Sequence, residues 1–458
     1  MRGPVARGGS AAAGPAAAPT DTLFTPYRTQ DTMTLQTAPH HSFTLPVTAA
    51  DIEDAARRLE GVARLTPLHV SDRLAARTGA TIWLKREDLQ PVRSYKIRGA
   101  HNLISQLTDE QRAAGVICAS AGNHGQGVAL ACAALGVRAT IYVPSTTPRQ
   151  KRERMLAIGG ANVELVVCGE TYDDSSRAGR EAAERSGKVM VPAFDDPRTI
   201  AGQGTVAREI VEQLGFAPDV VLVPVGGGGM VAGVLTWLAE RCPGTRVIGI
   251  EPAGAACMQA ALAAGEPVEL QAIDTFVDGA AVRKAGKVPF AIASHYGLET
   301  IAVPEGRVCS EMLELYQTDG IIAEPAGALA TAAIGQWMPE PGQNVVAILS
   351  GGNNDVSRYA EIIERALIFD GRKHYFLVRF PQEPGALRRF LDEVLGPNDD
   401  ITYFEYVKRS NRELGPALVG IETSHRDEVP GLKERLRQSN IEAEEIDPES
   451  SMYRFLIS

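Results

Sequence analysis

From about residue 50 to residue 368, short apolar runs rich in β-branched residues alternate with alanine-rich stretches of helical length. The runs lie at 116–119, 139–143, 163–167, 220–225, 246–250 and 345–349. Between them fall helical stretches at 125–135, 172–186, 201–214, 229–240 and 326–337. Strands that alternate with helices build βαβ units, so the pattern predicts an α/β domain with a mostly parallel sheet. Several runs are apolar on successive residues, as a strand is when both sheet faces are covered. In such folds ligands lie at the carboxyl ends of strands, where helices begin.

The texture changes near Phe369-Asp370-Gly371-Arg372-Lys373, which reads as a polar hinge. A strand at 374–380, a helix at 384–395, strands at 401–409 and 415–423, a helix at 427–439 and strands at 441–446 and 453–457 follow. That βαββαβ order predicts an α+β ferredoxin-like module. It holds no cluster of Cys, His or Asp suited to catalysis. Fourteen of the first twenty residues are Ala, Gly or Pro. Such a segment cannot offset its ordering entropy, so 1–45 is expected to be disordered, with Met33 as an alternative start. The expected organisation is thus a tail at 1–45, a catalytic domain at 46–368, a hinge at 369–373 and a small domain at 374–458.

Composition narrows the function. A net charge of −10 argues against non-specific nucleic-acid binding and against docking on an anionic membrane. No stretch approaches the run of about 18 apolar residues that a membrane span needs. The six cysteines, at 118, 132, 168, 242, 257 and 309, contain no C-x-x-C pair. Zinc ribbon and disulfide scaffold are disfavoured, and a reducing cytoplasm is the expected compartment.

Three strand-end loops carry the chemistry. Ser120-Ala121-Gly122-Asn123-His124-Gly125 follows the run ending at Ala119. Its small residues let backbone N–H groups face a ligand, and the next helix adds its positive end, which suits a carboxylate. A tight turn with Asn as cap reads the same residues equally well. Gly226-Gly227-Gly228-Gly229 lies between a strong apolar run and a helix. Four successive glycines cost much backbone entropy, and a phosphate cradled by their N–H groups offsets it. The spacing matches neither the ATP nor the NAD glycine motif. Ser350-Gly351-Gly352-Asn353 places a hydroxyl at a strand end, although Ser before Gly-Gly is also common turn chemistry. The reactive candidate is Lys96, in Ser94-Tyr95-Lys96-Ile97-Arg98-Gly99-Ala100. Partial burial would make its neutral amine a nucleophile, whereas a lone lysine is ordinarily a solvated one. An imine-forming lysine, a phosphate cradle and a hydroxyl for a ring nitrogen together point to pyridoxal phosphate.

With these motifs in order, residues 60–365 resemble the fold-type II pyridoxal-phosphate enzymes, tryptophan synthase β-like in fold, and within them the serine/threonine dehydratases. Glu87 followed by Val92-Arg93-Ser94-Tyr95-Lys96-Ile97-Arg98-Gly99-Ala100 is similar to their cofactor-attachment signature, and Glu324-Pro325-Ala326-Gly327-Ala328 to a segment near the cofactor. The module at 374–458 resembles an ACT-like regulatory domain, most tellingly at Phe380-Pro381-Gln382-Glu383-Pro384-Gly385-Ala386-Leu387. The resemblance implies a two-lobed catalytic domain in which Lys96 carries the cofactor and takes the substrate's Cα proton. It implies Asn123 on the cofactor's 3′ oxygen, Gly226 to Gly229 and the Met230 amide on the phosphate, and Ser350 at the pyridine nitrogen. Ser120, Gly122 and the Asn123 and His124 amides are the implied cradle for the substrate carboxylate. A serine at the ring nitrogen leaves the ring less electron-withdrawing, which suits β-elimination. L-Threonine, with L-serine as a second substrate, 2-oxobutanoate and ammonia are the implied reactants and products. Isoleucine is the implied effector, bound around 383–387 and 401–407, and the implied assembly is a homo-oligomer, dimer or tetramer.

Two rivals remain. A serine racemase or catabolic dehydratase would use a divalent ion held by a Glu, a carbonyl four residues on and an acid two further. Glu251 and Ala255 fit, but Cys257 stands third, and a hard cation wants oxygen, so no metal is expected. A non-catalytic carrier or amino-acid sensor would have no need of Lys96, Asn123 and Ser350 together.

Overall fold

The computed structural model describes residues 45–381, 383–406, 414–439, 441–447, 450 and 452–453. The disorder expected at 1–45 therefore falls, apart from Leu45, outside the described residues.

The larger sheet has the order β1 (Leu68–Val70), β2 (Thr81–Arg86), β10 (Asn344–Leu349), β7 (Val220–Pro224), β8 (Arg246–Pro252), β9 (Glu299–Val303). Only the β1–β2 pair is antiparallel. A second, wholly parallel sheet runs β5 (Val163–Val167), β4 (Ala139–Val143), β3 (Val116–Ala119), β6 (Val189–Met190). The two-lobed α/β architecture expected from the alternation is present.

The continuous apolar runs have a direct structural meaning. Val220 and Leu222 of β7 enter one core with Val345, Ala347 and Leu349 of β10. Val221, Val223 and Val225 enter a second core on the other face with Val346 and Ile348. Successive side chains of a strand point to opposite faces, so a sheet with helices on both sides demands an apolar residue at every position.

The C-terminal module is an antiparallel sheet in the order β12 (Asp400–Tyr406), β13 (Leu414–Glu422), β11 (Lys373–Pro381), β14 (Glu442–Glu445). Helices Ala386–Val394 and Val429–Gln438 bury Phe390, Val394, Leu432 and Leu436 against Phe376, Val378 and Phe380. The strand expected at 453–457 needs correction at its start. Met452 and Tyr453 are helical, because the Ser450 hydroxyl accepts the Tyr453 N–H at 3.2 Å and caps a turn. Residues 454–458 lie outside the described residues, as do 407–409 of the expected 401–409 strand. The helix expected at 326–337 is Pro325–Ala332, since Gly335 at φ +118° turns the chain and lets Ile334 bridge Trp337.

The residues joining the helix Tyr359–Phe369 to β11 are held on several sides. Ser310 donates to Asp370 at 2.9 Å, Arg372 pairs with Glu422 at 3.2 Å, and the Tyr375 hydroxyl donates to Glu364 at 2.6 Å. Lys373 pairs with the same Glu364.

Candidate active site

Lys96 opens the helix Lys96–Ser105, which crosses the helix Pro197–Leu214 at very short range. A Cβ on Gly99 would stand 2.7 Å from the Thr199 carbonyl oxygen, and one on Gly202 would stand 2.5 Å from that of Arg98. Only glycine permits this approach, which fixes where Lys96 stands. The Lys96 ammonium is half-buried, donates to the Ala193 carbonyl at 3.1 Å and lies 5.2 Å from the Tyr95 ring centroid.

The loop before Lys96 is stitched to the Ser350 loop, although some 250 residues separate them in sequence. Tyr95 N–H donates to the Ser350 carbonyl at 3.2 Å, and Gly352 N–H donates to the Arg93 carbonyl at 2.9 Å. Arg93 itself takes φ +56°, the left-handed region that side chains other than Asn and Asp seldom enter. Ser350 is buried, and its hydroxyl donates to the Ala326 carbonyl at 3.1 Å. A hydroxyl rotates, so the group can turn to another acceptor.

The helix Asn123–Leu135 begins within the loop Ser120–Gly125. Its first turn offers the Asn123, His124 and Gly125 amides without intrahelical acceptors, since the ladder starts with Gln126 N–H to the Gly122 carbonyl at 3.2 Å. The Gly122 N–H is committed to the Ser120 hydroxyl at 3.2 Å, so the uncommitted donors begin at Asn123. The His124 ring lies inside the protein, with Nε2 2.8 Å from the Val191 carbonyl. Burial, reinforced by the Lys96 charge, pushes its pKa down to about 4, so the ring is neutral at pH 7 and donates to that carbonyl.

The glycine run ends in the helix Gly229–Arg241, capped by Gly228 at φ +95°. The Gly229, Met230 and Val231 amides precede the first helical bond, from Ala232 to Gly228 at 3.0 Å, and point outward from a positive helix end. Phe194 covers this run so closely that a Cβ on Gly227 would overlap its ring. A Cβ on Gly226 would meet Ala280 at 3.0 Å.

Four participants escaped the sequence reading or were left without a role. Ala193 and Phe194 link Lys96 to the glycine run, and no local pattern marks them. Glu324 caps the helix Pro325–Ala332, and its Oε1 accepts Asn123 Nδ2 at 2.5 Å. Its burial, with Asp278 nearby, lifts its pKa to about 7 against the opposing pull of Asn123, Lys151 and the Asn353 amide. Asn353 Nδ2 donates to Asn123 Oδ1 at 2.6 Å.

Below Lys96 the same helix carries a buried network. Arg98 donates to Glu87 at 2.8 and 2.9 Å and to Glu209 at 2.6 and 2.8 Å. Lys85 donates to Glu209 at 2.7 Å, and Thr66 to Glu87 at 2.7 Å. Burial works to raise the Glu87 carboxyl, but the Arg98 charge and hydrogen bonds, with Lys85, overturn it and hold the group below its ordinary value. For Lys85 burial outweighs its partners and lowers the ammonium.

Elsewhere, both oxygens of Glu251 are engaged by the Met258 and Gln259 amides at 2.7 and 2.8 Å, and Cys257 Sγ donates to the Gly226 carbonyl at 3.4 Å. Among the described residues no three His, Cys, Asp or Glu side chains gather as a metal site would require.

The donor set suits one phosphorylated aldehyde cofactor. A half-buried amine sits beside Ala193, free amides stand at a helix end across Phe194, and a buried hydroxyl and the Asn123 amide close the other side. Fold and site together define a pyridoxal-phosphate-dependent enzyme. Residues 59–351 match the family described as pyridoxal-phosphate dependent enzyme, and residues 364–456 match the C-terminal regulatory domain of threonine dehydratase. The chain belongs to the threonine dehydratases of the pyridoxal-phosphate-dependent enzyme family.

A protein of Mycobacterium bovis named L-threonine dehydratase biosynthetic IlvA is 58% identical over 92% of this chain and 99% of its own length. The processed form of threonine deaminase isoform 2 from Solanum lycopersicum has 38% identity and a TM-score of 0.66, over 69% of this chain and 87% of that one. Maize serine racemase superposes with a TM-score of 0.65 at 28% identity, over 71% of this chain and 99% of that one. The racemase alignment, unlike that of the mycobacterial protein, leaves more than a quarter of this chain unmatched.

Proposed function

We propose that the chain converts L-threonine into 2-oxobutanoate and ammonia, with L-serine as a second substrate, and that its C-terminal domain answers to isoleucine. The observation that carries this reading is the 58% identity to a biosynthetic threonine dehydratase, which extends through the regulatory module. Bound pyridoxal phosphate supplies an electron-accepting ring that stabilises negative charge at the Cα of an attached amino acid. The protein's own groups do the rest. The amides of Gly229 and Met230, with the glycines before them, hold the phosphate at a helix N-terminus. The Asn123 and His124 amides, beside Ser120 and Gly122, hold the substrate carboxylate in the same manner. Asn123 donates to the cofactor's 3′ oxygen, and the Ser350 hydroxyl meets the ring nitrogen. Lys96, kept near Ala193, attaches the cofactor and then takes the Cα proton. Departure of the β-hydroxyl with one proton removes water, and water returned on hydrolysis releases ammonia, so threonine equals 2-oxobutanoate plus ammonia atom for atom.

The effector reading rests on the turn 383–387 and β12. The ring centroid of Phe380 lies 5.2 Å from that of Phe390, 6.1 Å from that of Phe404 and 6.0 Å from that of Tyr406, and Leu387 is exposed on the helix Ala386–Val394. β12 is also an open sheet edge with Tyr403 and Phe404 exposed, which supports self-association as a dimer or tetramer. Six free cysteines, four of them buried, support a reducing compartment, the cytoplasm. Among the described residues no helix is long and apolar enough to cross a membrane.

The test is release of 2-oxo acid from threonine by the purified chain, with and without isoleucine, alongside calorimetric titration of isoleucine. Lys96→Ala is expected to lose both turnover and the visible absorbance of covalently held cofactor. A cofactor-loaded chain inert toward threonine overturns the catalytic reading. Absence of both isoleucine binding and any kinetic response overturns the regulatory one.

A further inference from the structure

The side chain of Asn123 is gripped at both ends by residues from distant segments. Asn353 Nδ2 donates to the Val92 carbonyl at 2.8 Å and to Asn123 Oδ1 at 2.6 Å. A backbone carbonyl only accepts, so the Val92 bond fixes which end of the Asn353 amide is nitrogen. Both hydrogens of that nitrogen are then committed, and Asn123 must present its oxygen to it. The Asn123 nitrogen consequently faces the other way, where it donates one hydrogen to Glu324 Oε1 at 2.5 Å. Its second hydrogen is left over. Glu324 is itself fixed, since its N–H donates to the Gly351 carbonyl at 3.1 Å and a Cβ on Gly351 would overlap its Oε1. A half-turn of the Asn123 amide would set two NH2 groups against each other and lose the bond to Asn353.

We propose that Asn353 and Glu324 are positioning residues that lock the Asn123 amide in one orientation, leaving a single N–H to donate to the 3′ oxygen of the bound cofactor. This rests on the reading of Asn123 given above and adds how its direction is set. Neither residue needs to touch the cofactor. Asn353 supplies an obligate donor and Glu324 an acceptor, and the amide between them has no freedom left. Donation to the 3′ oxygen favours its anionic form, so the lock is readable in the cofactor's visible spectrum as well as in its affinity.

The experiment measures the pyridoxal phosphate dissociation constant and the visible absorbance maximum of the full chain carrying Asn353→Ala or Asn353→Asp, each with and without Asn123→Ala. A space-filling role makes the near-isosteric Asn353→Asp the milder change. The lock makes it the more severe one, because a carboxylate in that place turns the Asn123 amide around. Asn353→Asp is expected to weaken the cofactor about three- to tenfold and to move the band. In the Asn123→Ala background it is expected to add nothing, as a cycle through a shared partner requires. Glu324→Gln keeps an acceptor oxygen and is expected to stay near the unsubstituted chain, while Glu324→Ala behaves like Asn353→Ala. If Asn353→Asp does not fold, the cycle of Glu324→Ala with Asn123→Ala decides in its place. Equal losses with and without Asn123, or an unmoved band, overturn the proposal. Failure of the unsubstituted chain to take up pyridoxal phosphate would instead overturn the catalytic reading.

Discussion

Replacing Glu87 by Gln should expose how tightly the platform under Lys96 is balanced. Glu87 and Lys85 have no exposed surface and Arg98 is 1% exposed, while Glu209 closes the network from its rim. Two cations face two carboxylates, so the group is neutral. Glu87→Gln leaves a buried excess of one positive charge, and it sets an amide N–H against a guanidinium that donates to both Glu87 oxygens. Removing one partner of a buried pair costs about 3–5 kcal/mol. Urea unfolding of the cofactor-loaded chain, followed by circular dichroism, measures it. The companion is Arg98→Met, after which Glu87→Gln should cost less than about 1 kcal/mol, because no unpaired cation is left behind. In the unsubstituted chain the folded Glu87 titrates below its unfolded value of 4.5. Its stabilisation is therefore present at neutral pH and is lost only as acid protonates the folded carboxyl. A loss under about 1 kcal/mol for Glu87→Gln, or the same loss with and without Arg98, refutes the argument.

Gly227→Ala drives a methyl group into the Phe194 ring and should cost about 1–3 kcal/mol, read as a lower melting temperature together with weaker pyridoxal phosphate binding. Ser350→Ala removes one hydroxyl and should weaken cofactor binding by about 0.5–1.5 kcal/mol while circular dichroism stays unchanged. Glu324, raised to about 7 from 4.5, favours the folded state fully below pH 4.5 and loses that contribution as pH rises through 7. Thermal stability should accordingly fall between pH 4.5 and about 7, and Glu324→Gln should flatten that part of the profile; an unchanged profile would show that Glu324 does not titrate there.

Several of the strands legible in the sequence are covered on both faces, although β5, with Glu164 and Val167 exposed, is legible too. β3 and β7 are buried at every position, so each residue had to be apolar. β2 escaped notice because Lys85, which sits at a buried position, reads as a surface residue until Glu209 is placed beside it. β9 lies at the sheet edge with an exposed Glu299, and its apolar signal is too short to stand out. The site shows the same division. Gly226 to Gly229 announced a close approach because only backbone cost explains four glycines together. That the approaching body is Phe194, or that Glu324 grips Asn123 from 201 positions away, is tertiary information carried by no local pattern.

The central place of β10 bears on how the chain emerges from a ribosome. Residues 344–349 pair with both β2 and β7, so the larger sheet stays split until late in synthesis. Until then β2 and β7 each present an open, apolar edge, the kind of surface that nascent chains aggregate through. The lysine loop likewise waits for residues 350–353 to hold it. A chain truncated by a premature stop between β7 and β10 would thus be both inactive and adhesive, and the burden of keeping it soluble would fall on whatever chaperone meets it first.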